Sequence, residues 1–206
     1  MMGLACSQRV TPCRSAEACG PATECLANRC TRLGADPVAP GSDRIVLAPT
    51  RWAVSGDAPN DGQEVRLGGP GDSSQTLYLD FELTQARGRS IDSAFLLLYP
   101  TEWSEPLGAP LLIRVERVAT EWNARALARG GSPRAATGLA EGIASARQLV
   151  RVDVTELLRH QLIAPAGFQG LMIRGDGSGP QAFVASPGIS GRAPQLELYL
   201  AAQATR

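Results

Sequence analysis

The sequence predicts an all-β sandwich of about ten strands with one short helix, preceded by a small disulfide-rich segment. Three observations predict this fold class. The 206 residues include 22 glycines and 15 prolines, a composition that suits many short strands joined by tight turns. Several segments alternate apolar and polar residues, as half-buried strands do. All five cysteines lie between Cys6 and Cys30, which marks a separate unit ahead of the main body.

The start of the chain, residues 1–6, resembles the end of a bacterial lipoprotein signal peptide. Small or apolar residues precede Cys6, the residue that would be acylated, but the basic and apolar regions of a complete signal do not precede them. We favour lipidation of Cys6 over an odd free thiol. The protein is then exported, as a surface or outer-membrane lipoprotein or in secreted form, and contacts a membrane only through a lipid anchor at Cys6.

Residues 7–30 form the cysteine-rich segment. Its four remaining cysteines are spaced C-x5-C-x5-C-x4-C and predict two disulfides among Cys13, Cys19, Cys25 and Cys30. Three connectivities remain open. A zinc site is the alternative, but its usual paired C-x-x-C spacing is missing. A linker rich in proline and glycine follows over residues 31–42, and the main domain covers residues 43–201, with a tail at 202–206.

The strands of the main domain are predicted from period-two patterns and apolar runs. Residues 77–83 alternate most clearly, and residues 93–99 are continuously apolar, as in a central strand. Other strands are predicted at 44–47, 52–55, 64–67, 111–116, 150–154, 170–174, 182–186 and 196–200.

One helix and one long loop interrupt these strands. Thr155 is predicted to N-cap a helix that has Glu156 in its first turn and stops before Pro165. The stretch Asn123 to Arg147 is rich in alanine, glycine and arginine without a strand period. We expect it to be a long surface loop with room for a helical turn.

Five segments, taken in order, carry a family resemblance. They are Leu77 to Leu83, Ile91 to Tyr99, Ile113 to Val118 with Glu121-Trp122, Val152-Asp-Val-Thr155 ahead of the helix, and Ala193 to Tyr199. Together they resemble the DNRLRE family of carbohydrate-binding modules, family 96-like jelly rolls of bacterial surface proteins. The resemblance spans roughly Asp43 to Leu200. It implies a jelly-roll sandwich and a non-catalytic module that binds a polysaccharide or cell-wall glycan. The cysteine-rich segment is similar to short leaders of myxobacterial lipoproteins.

A glycan site needs flat aromatic rings beside polar groups, because the rings stack on the apolar faces of sugars. Trp103 lies in a proline-bounded stretch from Pro100 to Pro110, where no alternation predicts its burial. The predicted ligand-binding residues are Trp103, Glu102, Glu105 and Tyr78. Trp122 ends a strand and is expected in the core.

Composition and motifs argue against other functions. The charges of twenty basic and twenty acidic residues cancel, so the protein has no overall positive potential that would attract nucleic acid. The single histidine, His160, is interpreted as a solvated helix residue, since no nucleophile motif accompanies it. Asp80 and Glu82 are interpreted as the polar face of a strand rather than a catalytic pair. We therefore expect no enzyme; a structural or protein-interaction module of the envelope is the alternative, and a polysaccharide hydrolase or lyase ranks third.

An acidic turn offers the one candidate metal site. Asp57, Asn60 and Asp61 could supply oxygen ligands to a structural calcium ion. We favour an ordinary Asx turn, because calcium needs more oxygens than this segment offers. No other cofactor is expected.

Overall fold

The computed structural model describes residues 23–26, 29–32, 43–56, 64–69, 75–103, 111–144, 149–159, 161, 167–176, 181–187 and 192–201. Its strands are β1 (Thr23–Leu26), β2 (Arg29–Arg32), β3 (Asp43–Leu47), β4 (Arg51–Ser55), β5 (Glu64–Gly68), β6 (Thr76–Asp80), β7 (Ile91–Leu98), β8 (Pro100–Trp103), β9 (Leu111–Val118), β10 (Ala135–Ala144), β11 (Val150–Asp153), β12 (Leu171–Gly175), β13 (Gln181–Ala185) and β14 (Gln195–Leu200). The helices are α1 (Ala124–Ala128) and α2 (Thr155–Leu158), and Thr84–Ala86 forms a single 3-10 turn.

Two larger antiparallel sheets build the main domain. The five-stranded sheet has the order β10-β9-β12-β6-β4, and the four-stranded sheet has the order β11-β7-β14-β3. Along the chain, β7, β11 and β14 of the four-stranded sheet alternate with β9 and β10, and then β12, of the five-stranded sheet, as in a jelly roll. A three-stranded sheet, β5-β13-β8, and the separate hairpin β1-β2 complete the described strands. The predicted all-β sandwich is confirmed.

The core lies between the two larger sheets. Alternate residues of the five-stranded sheet, such as Leu79 and Ile113, are fully buried in one cluster with Leu96 and Leu198 of the four-stranded sheet. This is the period-two pattern from which the strands were predicted. Strand β6 ends at Asp80, so the last residues of the predicted 77–83 strand lie beyond it.

Thr155 has a different role from the predicted N-cap. It is the first residue of α2, and Asp153 Oδ1 accepts hydrogen bonds from its backbone nitrogen at 2.9 Å and from its hydroxyl at 2.5 Å. The Thr155 Oγ1 in turn accepts a hydrogen bond from the backbone nitrogen of Ala94 at 2.9 Å. The Asp-Val-Thr segment therefore ties the start of α2 to the centre of β7.

The stretch from Asn123 to Arg147 contains the expected helical turn, as the short helix α1, but its prediction as a loop is wrong where it contains the ten-residue strand β10. The inward positions of β10 hold only small residues, Ala140, Gly142 and Ala144, so no large apolar side chain marks the alternation. A Cβ on Gly142 would lie 2.7 Å from Val152 Cγ2. Close packing against β11 therefore requires small residues at these positions, and for the same reason no alternation of large apolar residues predicted the strand.

The cysteine-rich hairpin is described only in part. Strand β2 reaches Arg32, so the predicted linker begins later than residue 31, and the register places Cys25 directly opposite Cys30. Cys6, Cys13, Cys19 and His160 lie outside the described residues. No helix in the described part is long and apolar enough to cross a membrane.

Candidate functional site

Trp103 and Glu102, predicted to lie in a loop, belong to strand β8 at the edge of the three-stranded sheet. The loop prediction is therefore wrong over Pro100–Trp103, and ligand binding by Glu102 and Trp103 stays a prediction. Trp103 pairs with Ala182, which pairs with the fully buried Leu67 in the same row of the sheet. Glu102 lies in the next row of this sheet. Arg66 lies in the same row as Glu102, on strand β5, two strands away. Glu105 lies outside the described residues.

Tyr78, the fourth predicted ligand-binding residue, lies in a packed cluster on the outer face of the five-stranded sheet. Its side chain is 2% exposed, and its ring centre lies 5.6 Å from that of Trp122. The alternation along β6 correctly places Tyr78 on the outer face, but α1 and the chain around Trp122 cover that part of the face. The interpretation of Tyr78 as a residue that stacks on a ligand is therefore wrong.

Trp122 is a core residue, as expected. Its indole nitrogen donates a hydrogen bond to the carbonyl of Gln169 at 2.6 Å, and the guanidinium carbon of Arg51 lies 4.4 Å from its ring centre. Arg51 also donates to the Trp122 carbonyl at 2.9 Å and pairs with Asp80 at 2.8 Å. Asp80 therefore has a structural partner, which agrees with its interpretation as a polar strand residue.

The outer face of the four-stranded sheet brings together aromatic and charged side chains that the sequence did not single out. Strands β3, β7, β11 and β14 lie side by side, and alternate residues of each share this face. We call this set of residues the arginine face: Arg44, Phe95, Leu97, Tyr99, Arg151, Gln195, Glu197 and Tyr199.

The lower layer of the arginine face is aromatic and apolar. Phe95, Leu97 and Tyr199 are buried together, and the half-buried Tyr99 packs against them. The rings of Phe95 and Tyr199 meet edge to face, with centres 6.1 Å apart. This layer forms a rigid floor, since edge-to-face rings fill space in a defined geometry.

The upper layer is an Arg-Glu-Arg network. The Glu197 carboxylate, whose side chain is 7% exposed, accepts hydrogen bonds from Arg44 Nε at 3.1 Å, from Arg44 Nη2 and from Arg151 Nη2 at 3.3 Å. The hydrogen bond and the charge of Glu197 raise the pKa of Arg44 above its usual value, so this guanidinium stays charged. The network fixes two cations over one nearly buried anion, and the three charges sum to a net positive charge.

The side chain of Arg151 contacts Phe95, Glu197 and Tyr199. Its guanidinium carbon lies 3.9 Å from the centre of the Phe95 ring, and its Nη2 contacts both Glu197 and, at 3.4 Å, the hydroxyl of Tyr199. A guanidinium over the face of an aromatic ring makes a favourable cation–π interaction. Its position is therefore set by the fold before any ligand arrives.

Tyr99 stands at the end of the arginine face where β7 leads into β8. Its ring is partly exposed, and its hydroxyl lies 3.4 Å from Gln195 Oε1. A half-buried ring, an amide and two guanidiniums are groups that bind sugars, by stacking and by hydrogen bonds to hydroxyls. The alternation of Gln195, Glu197 and Tyr199 along β14 was the sequence signal that placed these residues on one face.

Metal binding finds no support in the described part of the chain. No group of three histidine, cysteine, aspartate or glutamate side chains there could hold an ion. The proposed calcium ligands Asp57, Asn60 and Asp61 lie outside the described residues.

No protein-family model matches the chain, and no curated protein matches it.

Proposed function

We propose that the protein is a non-catalytic polysaccharide-binding module and that the arginine face is its binding surface. The proposal rests on one observation: the half-buried Tyr99 and the paired arginines Arg44 and Arg151 share one side of the four-stranded sheet, and 58% of the Arg44 side chain is exposed there. The order of strands, that of a jelly roll, supplies a rigid platform for such a surface.

The chemistry of a polysaccharide fits the groups on this face. Pyranose rings have apolar faces that stack on aromatic side chains, and Tyr99 offers such a ring. Sugar hydroxyls accept and donate hydrogen bonds. Gln195 offers an amide beside Tyr99, and Arg44 offers a guanidinium further along the same face. Because 58% of the Arg44 side chain is exposed, it has room to contact a ligand while it is paired with Glu197.

Preorganisation favours binding over a merely structural use of these residues. Holding a long side chain in one rotamer costs about 0.5 to 1.5 kcal/mol when a ligand has to do it. Stacking on Phe95 and hydrogen bonding to Glu197 already hold Arg151, so a bound glycan would not bear that cost.

The cell-surface location is a proposal from the sequence pattern. The cysteine-rich segment and the lipoprotein-like residues before Cys6 support export and a lipid anchor there. A module tethered in this way would present the sandwich to polysaccharides outside the cell.

A binding assay on the full chain tests this function. Affinity electrophoresis against a panel of neutral and charged polysaccharides should show retardation by at least one of them. Arg44→Ala should reduce that retardation, because Arg44 is the more exposed arginine of the face. The matched control is Arg174→Ala, which removes an exposed arginine paired with Glu116 on the five-stranded sheet. Absence of binding to every polysaccharide, or equal loss in both variants, contradicts the proposal.

A further inference from the structure

The edge of the sandwich formed by β10 exposes most of the large apolar side chains that lie open in the described residues. Ile143 is 70% exposed and Leu139 is 51% exposed, whereas the alternate residues Ala140 and Ala144 are buried. Leu149, just before β11, is 49% exposed, and β11 packs against β10. Of the four exposed large apolar residues in the described part, only Val46 lies elsewhere.

Among the described residues, no strand pairs with the outer backbone edge of β10. It is the outermost described strand of the five-stranded sheet and has ten residues, against four or five in β3, β4 and β11, the other edge strands of the two larger sheets. An edge strand offers unpaired N–H and C=O groups, which proteins usually protect with charges, proline or short length. Strand β10 contains one charged residue, Glu141, and no proline.

The exposed face of β10 is complementary to a second copy of itself. Its pairing with β9 is regular from Leu139 to Ala144. If two copies pair antiparallel with Glu141 on the two-fold axis, Leu139 of each copy lies directly opposite Ile143 of the other. Opposed aliphatic residues stabilise paired strands, and a two-fold interface repeats each favourable pair.

Electrostatics permit this association. Glu141 lies 3.3 Å from Arg114 on the neighbouring strand, so the two glutamates that meet at the axis each have a cation beside them. The formal net charge of the whole chain is zero, so two copies do not repel one another at long range.

We infer that the protein self-associates as a two-fold dimer through antiparallel pairing of β10, which joins two five-stranded sheets into one continuous sheet. This inference is independent of the proposed glycan binding. The arginine face belongs to the four-stranded sheet, whereas β10 is an edge strand of the five-stranded sheet.

Sedimentation velocity of the full chain over a range of concentrations tests the dimer. The native chain should shift from monomer to dimer as concentration rises. Ile143→Glu should raise the dissociation constant by about 100-fold, because the substitution enters the interface twice, at about tenfold each. Val46→Glu is the matched control, since it places the same charge at the exposed apolar residue of edge strand β3 and should leave the dissociation constant within about twofold.

Hydrogen exchange on the native chain gives a second readout that needs no variant. Amides of residues 139–144 should become more protected as the dimer fraction rises, while amides of β3 should not. A chain that stays monomeric at all concentrations, a dimer that Ile143→Glu leaves intact, or dimer-dependent protection at β3 instead of β10 would overturn the inference.

Discussion

The guanidinium of Arg151 lies over the ring of Phe95, with 3.9 Å between the guanidinium carbon and the ring centre, on the outer side of the four-stranded sheet. This contact joins the aromatic floor of the arginine face to the charged network above it. The guanidinium is thus held both by the ring below it and by the Glu197 carboxylate beside it.

Glu197→Ala should destabilise the fold by about 2 kcal/mol, because two arginines lose charged hydrogen bonds to one nearly buried carboxylate. Urea denaturation measures the effect. Glu156→Ala is the control: it removes an ion pair with Arg159 that is exposed on both sides, and it should change stability by less than about 0.5 kcal/mol. Equal losses of stability in the two variants would show that the Arg-Glu-Arg network contributes no more to stability than an exposed ion pair.

Thr155→Val should cost about 1 to 3 kcal/mol, since it leaves the buried backbone nitrogen of Ala94 without its acceptor. Thr155→Ser retains the hydroxyl and should recover most of that stability. Thermal melting of the two variants side by side checks the prediction. If valine and serine are equally tolerated, the hydroxyl does not tie α2 to β7.

Gly142→Ala should cost about 1 to 3 kcal/mol by overpacking, because its Cβ would lie 2.7 Å from Val152 Cγ2. Val152→Ala makes room for that methyl group, so the double variant should be more stable than the sum of the single effects by at least about 0.5 kcal/mol. Denaturant unfolding of all four proteins in the cycle measures this coupling. Strict additivity would mean that the two residues do not touch.

Trp122→Ala should cost about 3 to 5 kcal/mol, because the side chain is almost fully buried and fills the cluster around Tyr78. Trp122→Phe retains part of the packing but loses the hydrogen bond to Gln169, so its cost should be smaller. Thermal denaturation ranks the two variants, and a fully stable alanine variant would contradict the packing described for this face.

Much of the fold was predictable because large apolar side chains alternate along most strands, as in Leu77 and Leu79 or Leu196 and Leu198. Strand β10 was missed for the opposite reason: its buried positions are alanine and glycine, which carry no periodic signal.

The candidate site was harder to predict than the fold. Alternation places Tyr78 on an outer face but does not reveal that α1 covers it. Trp103 was predicted to lie in a loop because prolines flank its segment. Pro100 instead begins an edge strand, a position that proline tolerates. The arginine face depends on the order of strands, since Arg44, Arg151 and Glu197 are far apart in the sequence and meet only after β14 inserts between β3 and β7.

Glycan binding by the arginine face is tested by measuring glycan affinity and stability for two variants of Tyr99. Tyr99→Leu should still pack on Phe95 and Leu97 but lose the flat ring, whereas Tyr99→Phe keeps the ring and loses only the hydroxyl contact with Gln195. If the arginine face is the binding surface, Tyr99→Leu weakens binding by about 1 to 3 kcal/mol while the melting temperature changes little, and Tyr99→Phe binds nearly as well as the native chain. Unchanged affinity in Tyr99→Leu, measured by isothermal titration against the polysaccharide that the native chain binds, would contradict the claim that the arginine face is the binding surface.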